Sequence, residues 1–376
     1  MTIRPFPIHV DQSALDDLKQ RLALTRWVEK ETPDDWSQGI PLSYMKEIHN
    51  SWLNEYDWRP VEARLNALGS FVTEIDDVDI HFLHVRSPHE HARPLIMTHG
   101  WPGSVLEFMK IIPMLIEPEK HGGKAEDAFH LVMPTMPGYG FSGKPKTTGW
   151  TIDHIGAAWA ELMARLGYTR YFAQGGDWGS AVTIAIGRAD PVHCAGVHVN
   201  MVIAMPSEDV MADPTQAEQK SLADFMKHQE WGTGYAKQQS TRPQTLGYAL
   251  VDSPIGQAAW ILEKFYEWTD CDGHPENIFT RTELLDNVMM YWLTASGGSS
   301  ARLYWESYNS INADPFDLPM GATVFPIDIM KPSRRWASAQ YKNIIFWNEP
   351  DRGGHFAAFE KPMVLADDLR ACFSMI

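Results

Sequence analysis

Cysteine is scarce in this chain: Cys194, Cys271 and Cys372 are the only three in 376 residues. They lie far apart and are odd in number. That excludes a disulfide framework and CxxC-type metal sites, and it fits a reducing compartment. Positive charge is short as well: 32 Lys+Arg stand against 48 Asp+Glu, a net charge of −16. No basic cluster of the kind that grips a duplex is present, so nucleic acid is not an expected partner, and the acidic surface serves solubility. No apolar run reaches the ~18–20 residues that a membrane span needs. The first residues, MTIRPFPIHVDQ, have no apolar signal-peptide core. A soluble, cytoplasmic protein is expected. No Walker motif is found and no Rossmann GxGxxG that opens a helix directly after a strand, so no nucleotide cofactor is expected. No catalytic metal is expected either: His89 and His91 sit in the polar turn SPHEHARP, and His81 and His84, three apart in a strand, point to opposite faces. GxSxG, the turn that carries a serine nucleophile, is absent too.

What is present begins with helices. Up to about residue 70 the pattern is helical with loops: Leu15, Leu18 and Leu22 recur at helical spacing after Asp11 and Ser13, either of which could cap the start, and Tyr44, Ile48 and Trp52 share a face. Trp27, Trp36, Trp52 and Trp58 load this segment with apolar surface that must pack on the rest of the chain. From about residue 71 the texture changes. FVTEI and VDIHFLHVRS read as strands joined at Asp76-Asp77. PLIMTHG, HLVMPTMPG, YFAQGGD and AGVHVNM are short apolar runs ending in small residues, with the helical stretches SVLEFMKIIPMLI, IDHIGAAWAELMARLG and GSAVTIAIGRA between them. Repeated strand–helix–strand order predicts a doubly wound, mostly parallel α/β sheet, in which function collects at the C-terminal strand ends. Residues 206–317 break the rhythm with helical patterns only, and the strand pattern returns at ATVFPID and NIIFWNE before a last helix. The expected organisation is an N-terminal segment (1–70), a core in two parts (71–205 and 318–376) and a helical cap between them (206–317).

The stretch QGGDWGS, residues 174–180, places Asp177 where a strand turns into a helix, with Gly175 and Gly179 in the two glycine positions of a nucleophile elbow. The glycines allow the strained turn and close helix–strand packing. A carboxylate raised there, beside the positive end of a helix, can attack carbon. An Asp nucleophile attacking an sp³ carbon forms an alkyl ester, which needs oxyanion donors and a base to activate water. THGWPGS (98–104) follows a strand and offers the peptide N–H of Trp101; the N–H of Trp178 follows the nucleophile directly. The base candidate is His355 in DRGGHFAAFEKP. The acid that orients it is expected between nucleophile and histidine, and Asp328 at the end of the strand ATVFPID fits; Asp351 competes on proximity.

These residues resemble the microsomal-type epoxide hydrolases of the α/β-hydrolase superfamily, in the form with an extra N-terminal segment. IRPFPIHV, RWVEKE, DWRPVEARLN, IHFLHVRSP, HGWPGS, PGYGFSGKP, QGGDWGS, STRPQTLGYALVDSPIGQAAWILEKF and RGGHFAAFEKP spread the likeness over nearly the whole chain. The resemblance implies the α/β-hydrolase fold, an epoxide as small-molecule substrate, no cofactor, and two cap tyrosines that bind and protonate the epoxide oxygen. The matching positions are Tyr235 and Tyr304. Some family members carry Glu where this chain has Asp328, and either orients a histidine. Microsomal relatives carry an N-terminal membrane anchor, whereas this chain starts at the globular segment, so no anchor is expected. A homodimer is the default expectation for assembly. Two other functions stay open on the sequence. One is haloalkane dehalogenation through the same aspartate, with the indole of Trp178 holding the halide. The other is ligand binding without catalysis.

Overall fold

The computed structural model describes residues 2–311 and 313–376. Nine strands form one sheet: β1 (Arg4–Pro5), β2 (Ser70–Ile75), β3 (Val78–Val85), β4 (Arg93–Thr98), β5 (Phe129–Pro134), β6 (Tyr171–Gly175), β7 (Cys194–Val199), β8 (Met320–Thr323) and β9 (Ile344–Asn348). Their order is β1-β2-β3-β5-β4-β6-β7-β8-β9. The antiparallel pairs β1–β2, β2–β3 and β3–β5 build one edge, and the run from β5 to β9 is parallel. β5 and β6 are buried along their whole length and mostly apolar, as strands covered by helices on both faces must be. The chain runs from β4 to β5 on one side and then returns to place β6 on the other. The strand ends at β4 and β6 therefore flank the switch point, where an open α/β sheet leaves a crevice. This is the α/β-hydrolase fold that the sequence implies.

The structure departs from the sequence reading in four places. β1 adds a short strand within the first 70 residues, where only helices and loops were expected. Neither suggested cap closes the first helix, Gln12–Ala23: Asp11 holds the cap position without a side-chain bond, and Ser13 lies inside the helix. SVLEFMKIIPMLI is not one helix. A 3₁₀ turn, Val105–Phe108, is followed by a short helix, Ile112–Ile116; Pro113 has no N–H to continue the first turn and fits only near a helix start. Finally, β8 ends at Thr323, so Asp328 does not terminate the strand but sits in the loop after it.

Between β7 and β8 the chain is helical, including Gln216–Lys227, a π-helical turn at His228–Gly232, Gly234–Thr241, Pro254–Glu267, Arg281–Trp292 and Gly297–Ser307. The helix Arg281–Trp292 is held from two sides. On one side lie the first 70 residues: the Tyr56 hydroxyl donates to Asp286 at 2.8 Å, Arg64 pairs with Asp286 at 3.3 Å, and the Trp52 indole meets the Met289 sulfur at 3.3 Å. On the other side lies the loop after β4: Asn287 donates to the Pro102 carbonyl at 2.8 Å and accepts from Ser104 at 2.8 Å, while the Tyr291 hydroxyl donates to the Gly103 carbonyl at 2.7 Å. Of the four tryptophans expected to pack, Trp52 and Trp58 are buried and Trp36 is partly buried against the core, whereas Trp27 is exposed. Among the described residues, no helix is long and apolar enough to cross a membrane.

Candidate active site

Four loops at the C-terminal ends of β4, β6, β8 and β9 converge. Asp177 follows β6 with φ 51° and ψ −130°, a left-handed value that a non-glycine residue adopts only where its surroundings force it. The strain thus falls on the aspartate itself rather than on the flanking glycines. What glycine supplies is closeness. A Cβ on Gly179 would stand 1.9 Å from the Thr98 carbonyl oxygen, and one on Gly100 would stand 2.2 Å from the Asp177 side chain. No side chain fits at either place.

The Asp177 carboxylate has two different neighbours. Its Oδ1 accepts the Trp101 peptide N–H at 2.7 Å. Its Oδ2 lies 3.2 Å from His355 Nε2, close enough for an ion pair but too far off axis for a hydrogen bond. The Trp178 N–H begins the following helix and makes no bond to the carboxylate. On the far side of the imidazole, His355 Nδ1 meets Asp328 Oδ1 at 2.7 Å, and the same oxygen accepts the Ile329 N–H at 2.7 Å. Both His355 and Asp328 are buried, whereas Asp351 is exposed and takes no part. Burial alone disfavours the imidazolium. The charges of Asp328 and Asp177 outweigh burial and push His355 up to about 10. The histidine of the HG pair plays another part: His99 is buried, takes the Met136 N–H on Nε2 at 3.3 Å and faces the Gly100 carbonyl, which fixes the loop that carries Trp101.

Across a cavity of about 110 Å³ stand Tyr235, on the helix Gly234–Thr241, and Tyr304, on the helix Gly297–Ser307. Asp177, Trp178, Met201, Phe225 and Ile329 line the same cavity. Ring packing holds the pair: Tyr235 stacks on Trp101 at 5.0 Å between centroids, Tyr304 meets Trp178 edge-on at 4.8 Å, and the two tyrosines are 5.8 Å apart. Trp268 touches both Tyr235 and His355, at 5.2 and 5.0 Å. The Lys264 ammonium sits 4.8 Å over the Tyr235 ring and is neutralised by Glu263 and Glu267, each at 2.7 Å. Burial, and with it the charge of Asp177, raises both phenols well above their usual value. Each remains a neutral O–H donor.

All seven residues picked from the sequence therefore gather at one place. Trp268, Lys264 and Glu107 were not picked. Trp268 and Lys264 lie on and just after an ordinary amphipathic helix, and Glu107 lies in a 3₁₀ turn; nothing in their local sequence sets them apart. Among the described residues, no group of three or more His, Cys, Asp and Glu side chains could hold a metal ion.

Comparison with known proteins agrees with this geometry. Residues 3–108 match the family described as epoxide hydrolase N terminus, and residues 93–250 match the alpha/beta hydrolase fold. A Stigmatella aurantiaca relative is 52% identical over 375 residues, covering 100% of this chain and 85% of its own. Epoxide hydrolase 1 of Sus scrofa is 35% identical, over 100% of this chain and 89% of its own. The solved structure of Aspergillus niger epoxide hydrolase superimposes with a TM-score of 0.90 at 33% identity, covering 100% of this chain and 97% of that one. On its fold and its full-length likeness to these proteins, this chain belongs to the epoxide hydrolase family.

Proposed function

We propose that this enzyme opens an epoxide through a covalent ester on Asp177 and releases a vicinal diol, with the helical insertion at 206–317 acting as the cap that supplies the acid. The observation that carries the proposal is the division of labour between the two carboxylate oxygens. The Trp101 N–H occupies Oδ1, so Oδ2 is the atom that attacks a ring carbon. The C–O bond of the ring breaks as the C–Oδ2 bond forms, and the departing oxygen takes a proton from Tyr235 or Tyr304. Oδ1 is then the ester carbonyl oxygen and already stands on the Trp101 N–H, where the next step builds negative charge. The Trp178 N–H, free at the start of its helix, is the second donor in this reading.

Timing follows from charge. In the free enzyme His355 is a cation held by two carboxylates and cannot act as a base. Esterification removes the charge of Asp177 and with it part of what raises the imidazole. His355 then releases its proton, which makes good the one lost by the tyrosine, and the neutral imidazole, oriented by Asp328, can accept a proton from water. That water attacks the ester at the carboxyl carbon, the Cγ–Oδ2 bond breaks, and the diol leaves with Oδ2 and the proton from His355. The aromatic and aliphatic walls of the 110 Å³ cavity suit an apolar epoxide of modest size.

The test is epichlorohydrin at neutral pH, beside Asp177→Ala, with an aryl epoxide run in parallel. Epichlorohydrin offers both an epoxide and a carbon–chlorine bond. Diol products that are absent from the variant support the reading. Chloride as the first product would overturn it in favour of dehalogenation, and binding of either epoxide without turnover would make the chain a ligand-binding relative.

A further inference from the structure

Asp177 lines a second cavity, on the side away from the tyrosines. Its walls include Gly100, Glu107, Gln174, Asn200 and His355. It measures about 10 Å³, room for about one water molecule. Phe108, Phe356, Ala357 and Ala358 line it as well, and the polar groups among its walls are incompletely paired. Gln174 donates its amide to Asn200 Oδ1 at 2.9 Å, and Asn200 reaches the His355 carbonyl at 3.4 Å, but Gln174 Oε1 has no partner. His355 Nε2 faces the same space, with Asp177 Oδ2 3.2 Å away. Among the described residues, the Glu107 carboxyl makes no hydrogen bond or ion pair at all, although it folds back over Gly103 deep beside Asp177 and His355. Two polar groups without partners, Gln174 Oε1 and the Glu107 carboxyl, thus border a space for one water beside the Asp177–His355 pair, although buried polar groups are ordinarily satisfied.

We infer that this cavity seats the water that hydrolyses the ester, and that Glu107 is its positioning residue. The inference rests on the proposed ester at Asp177. A water there lies within the reach of His355 Nε2, which takes its proton, while the Glu107 carboxyl and Gln174 Oε1 fix its orientation. Asp177 forms part of the wall of both cavities, so the alkyl group arrives from one side and water from the other. Burial pushes Glu107 up to about 8, with Asp177 adding to the effect and the His355 cation opposing it. At neutral pH the carboxyl is therefore mostly protonated and offers the water both a donor and an acceptor. Tyr291 is the other titratable group whose electrostatics couple to it.

The two half-reactions separate the possibilities. Rapid-mixing measurements on the full-length enzyme, with Trp101 and Trp178 fluorescence as the reporter, give the rates of ester formation and decay. Glu107→Leu is expected to slow decay at least tenfold while formation stays within about twofold, so that the ester accumulates and is seen by intact-protein mass. Glu107→Gln, which keeps a donor and an acceptor, should restore most of the decay rate. Unchanged decay in Glu107→Leu overturns the inference. So does equal slowing of both steps, with no rescue by Glu107→Gln, which marks a purely structural residue. His355→Gln is the control: if it traps no ester on Asp177, the proposed chemistry fails independently of Glu107.

Discussion

The core and the cap hold their halves of the site by different physics. On the core side, backbone sets the positions. Asp177 is fixed by a left-handed turn between glycines that tolerate no Cβ, and it is tied by a 2.7 Å bond to Trp101; His355 is tied by another to Asp328. On the cap side, rings set the positions: Tyr235 and Tyr304 rest on Trp101, Trp178 and Trp268 at centroid separations of 4.8–5.8 Å. A short hydrogen bond or a forbidden Cβ fails abruptly when disturbed, whereas ring packing is broad and yields by degrees. In the proposed mechanism the nucleophile and its base are held in the first way, and the proton donors in the second. An O–H can rotate to meet an oxygen; a carboxylate that must attack in line has no such freedom.

This contrast can be broken at several points. The largest effect is expected for His355→Gln, which should lower turnover by about 10²- to 10⁴-fold, the usual contribution of a general base, while leaving ester formation measurable by mass. Next is Gly100→Ala. Its Cβ would fall 2.2 Å from the nucleophile, so either the loop or Asp177 must move, and a displacement of about 1 Å costs on the order of 10²-fold in rate. Steady-state kinetics together with a circular-dichroism spectrum will show whether the fold survives. On the cap, Tyr235→Phe and Tyr304→Phe are expected to lose about tenfold to a hundredfold each, because the partner phenol remains; the double variant should approach the full effect of a lost acid, about 10²- to 10⁴-fold. Trp268→Leu should be mildest, a loss of roughly threefold to tenfold in kcat, since it loosens a packed ring without removing a reacting group. If Gly100→Ala proves milder than Trp268→Leu, the contrast between rigid core and yielding cap is wrong.

Acidity sharpens the same comparison. The proposed mechanism makes deprotonated His355 the active form in ester decay, so the decay rate should rise with pH and level off. Its midpoint should lie below the value of about 10 that belongs to the free enzyme, because the charge of Asp177 is then gone. Ester formation should not follow that profile. Single-turnover rates measured between pH 5 and 10 on both steps will check this.

The two halves also differed in how far the sequence revealed them. The core half was legible from spacing: a strand, glycines two residues on either side of Asp177, a His-Gly loop after an earlier strand and a histidine loop near the C-terminus are consequences of one fold, and chain order follows from them. Asp328 meets the imidazole of His355 although the strand before it stops five residues earlier, at Thr323. The cap half was not legible in that way. Tyr235 and Tyr304 came from resemblance, because a tyrosine on a helix has no local mark that separates a donor from a packing residue. Trp268 and Lys264 were missed for the same reason. Glu107 was hidden by the stretch around it: SVLEFMKIIPMLI reads as an amphipathic helix with a solvent-facing glutamate, and only the break before Pro113 and the 3₁₀ turn direct that carboxyl inward.

The helix Arg281–Trp292 carries a consequence for how such enzymes can be rebuilt. It touches the N-terminal segment through Asp286 and Met289, and the loop that carries Trp101 through Asn287 and Tyr291. The cap is thus not an interchangeable part. A chimera that imports the cap of a relative without the matching first 70 residues would leave Tyr56 and Arg64 facing the wrong surface. It would also release the Pro102 and Gly103 carbonyls from their donors, altering the core half of the site although no core residue had changed. Three stretches distant in sequence behave as one unit of exchange, and a grafting experiment has to move them together.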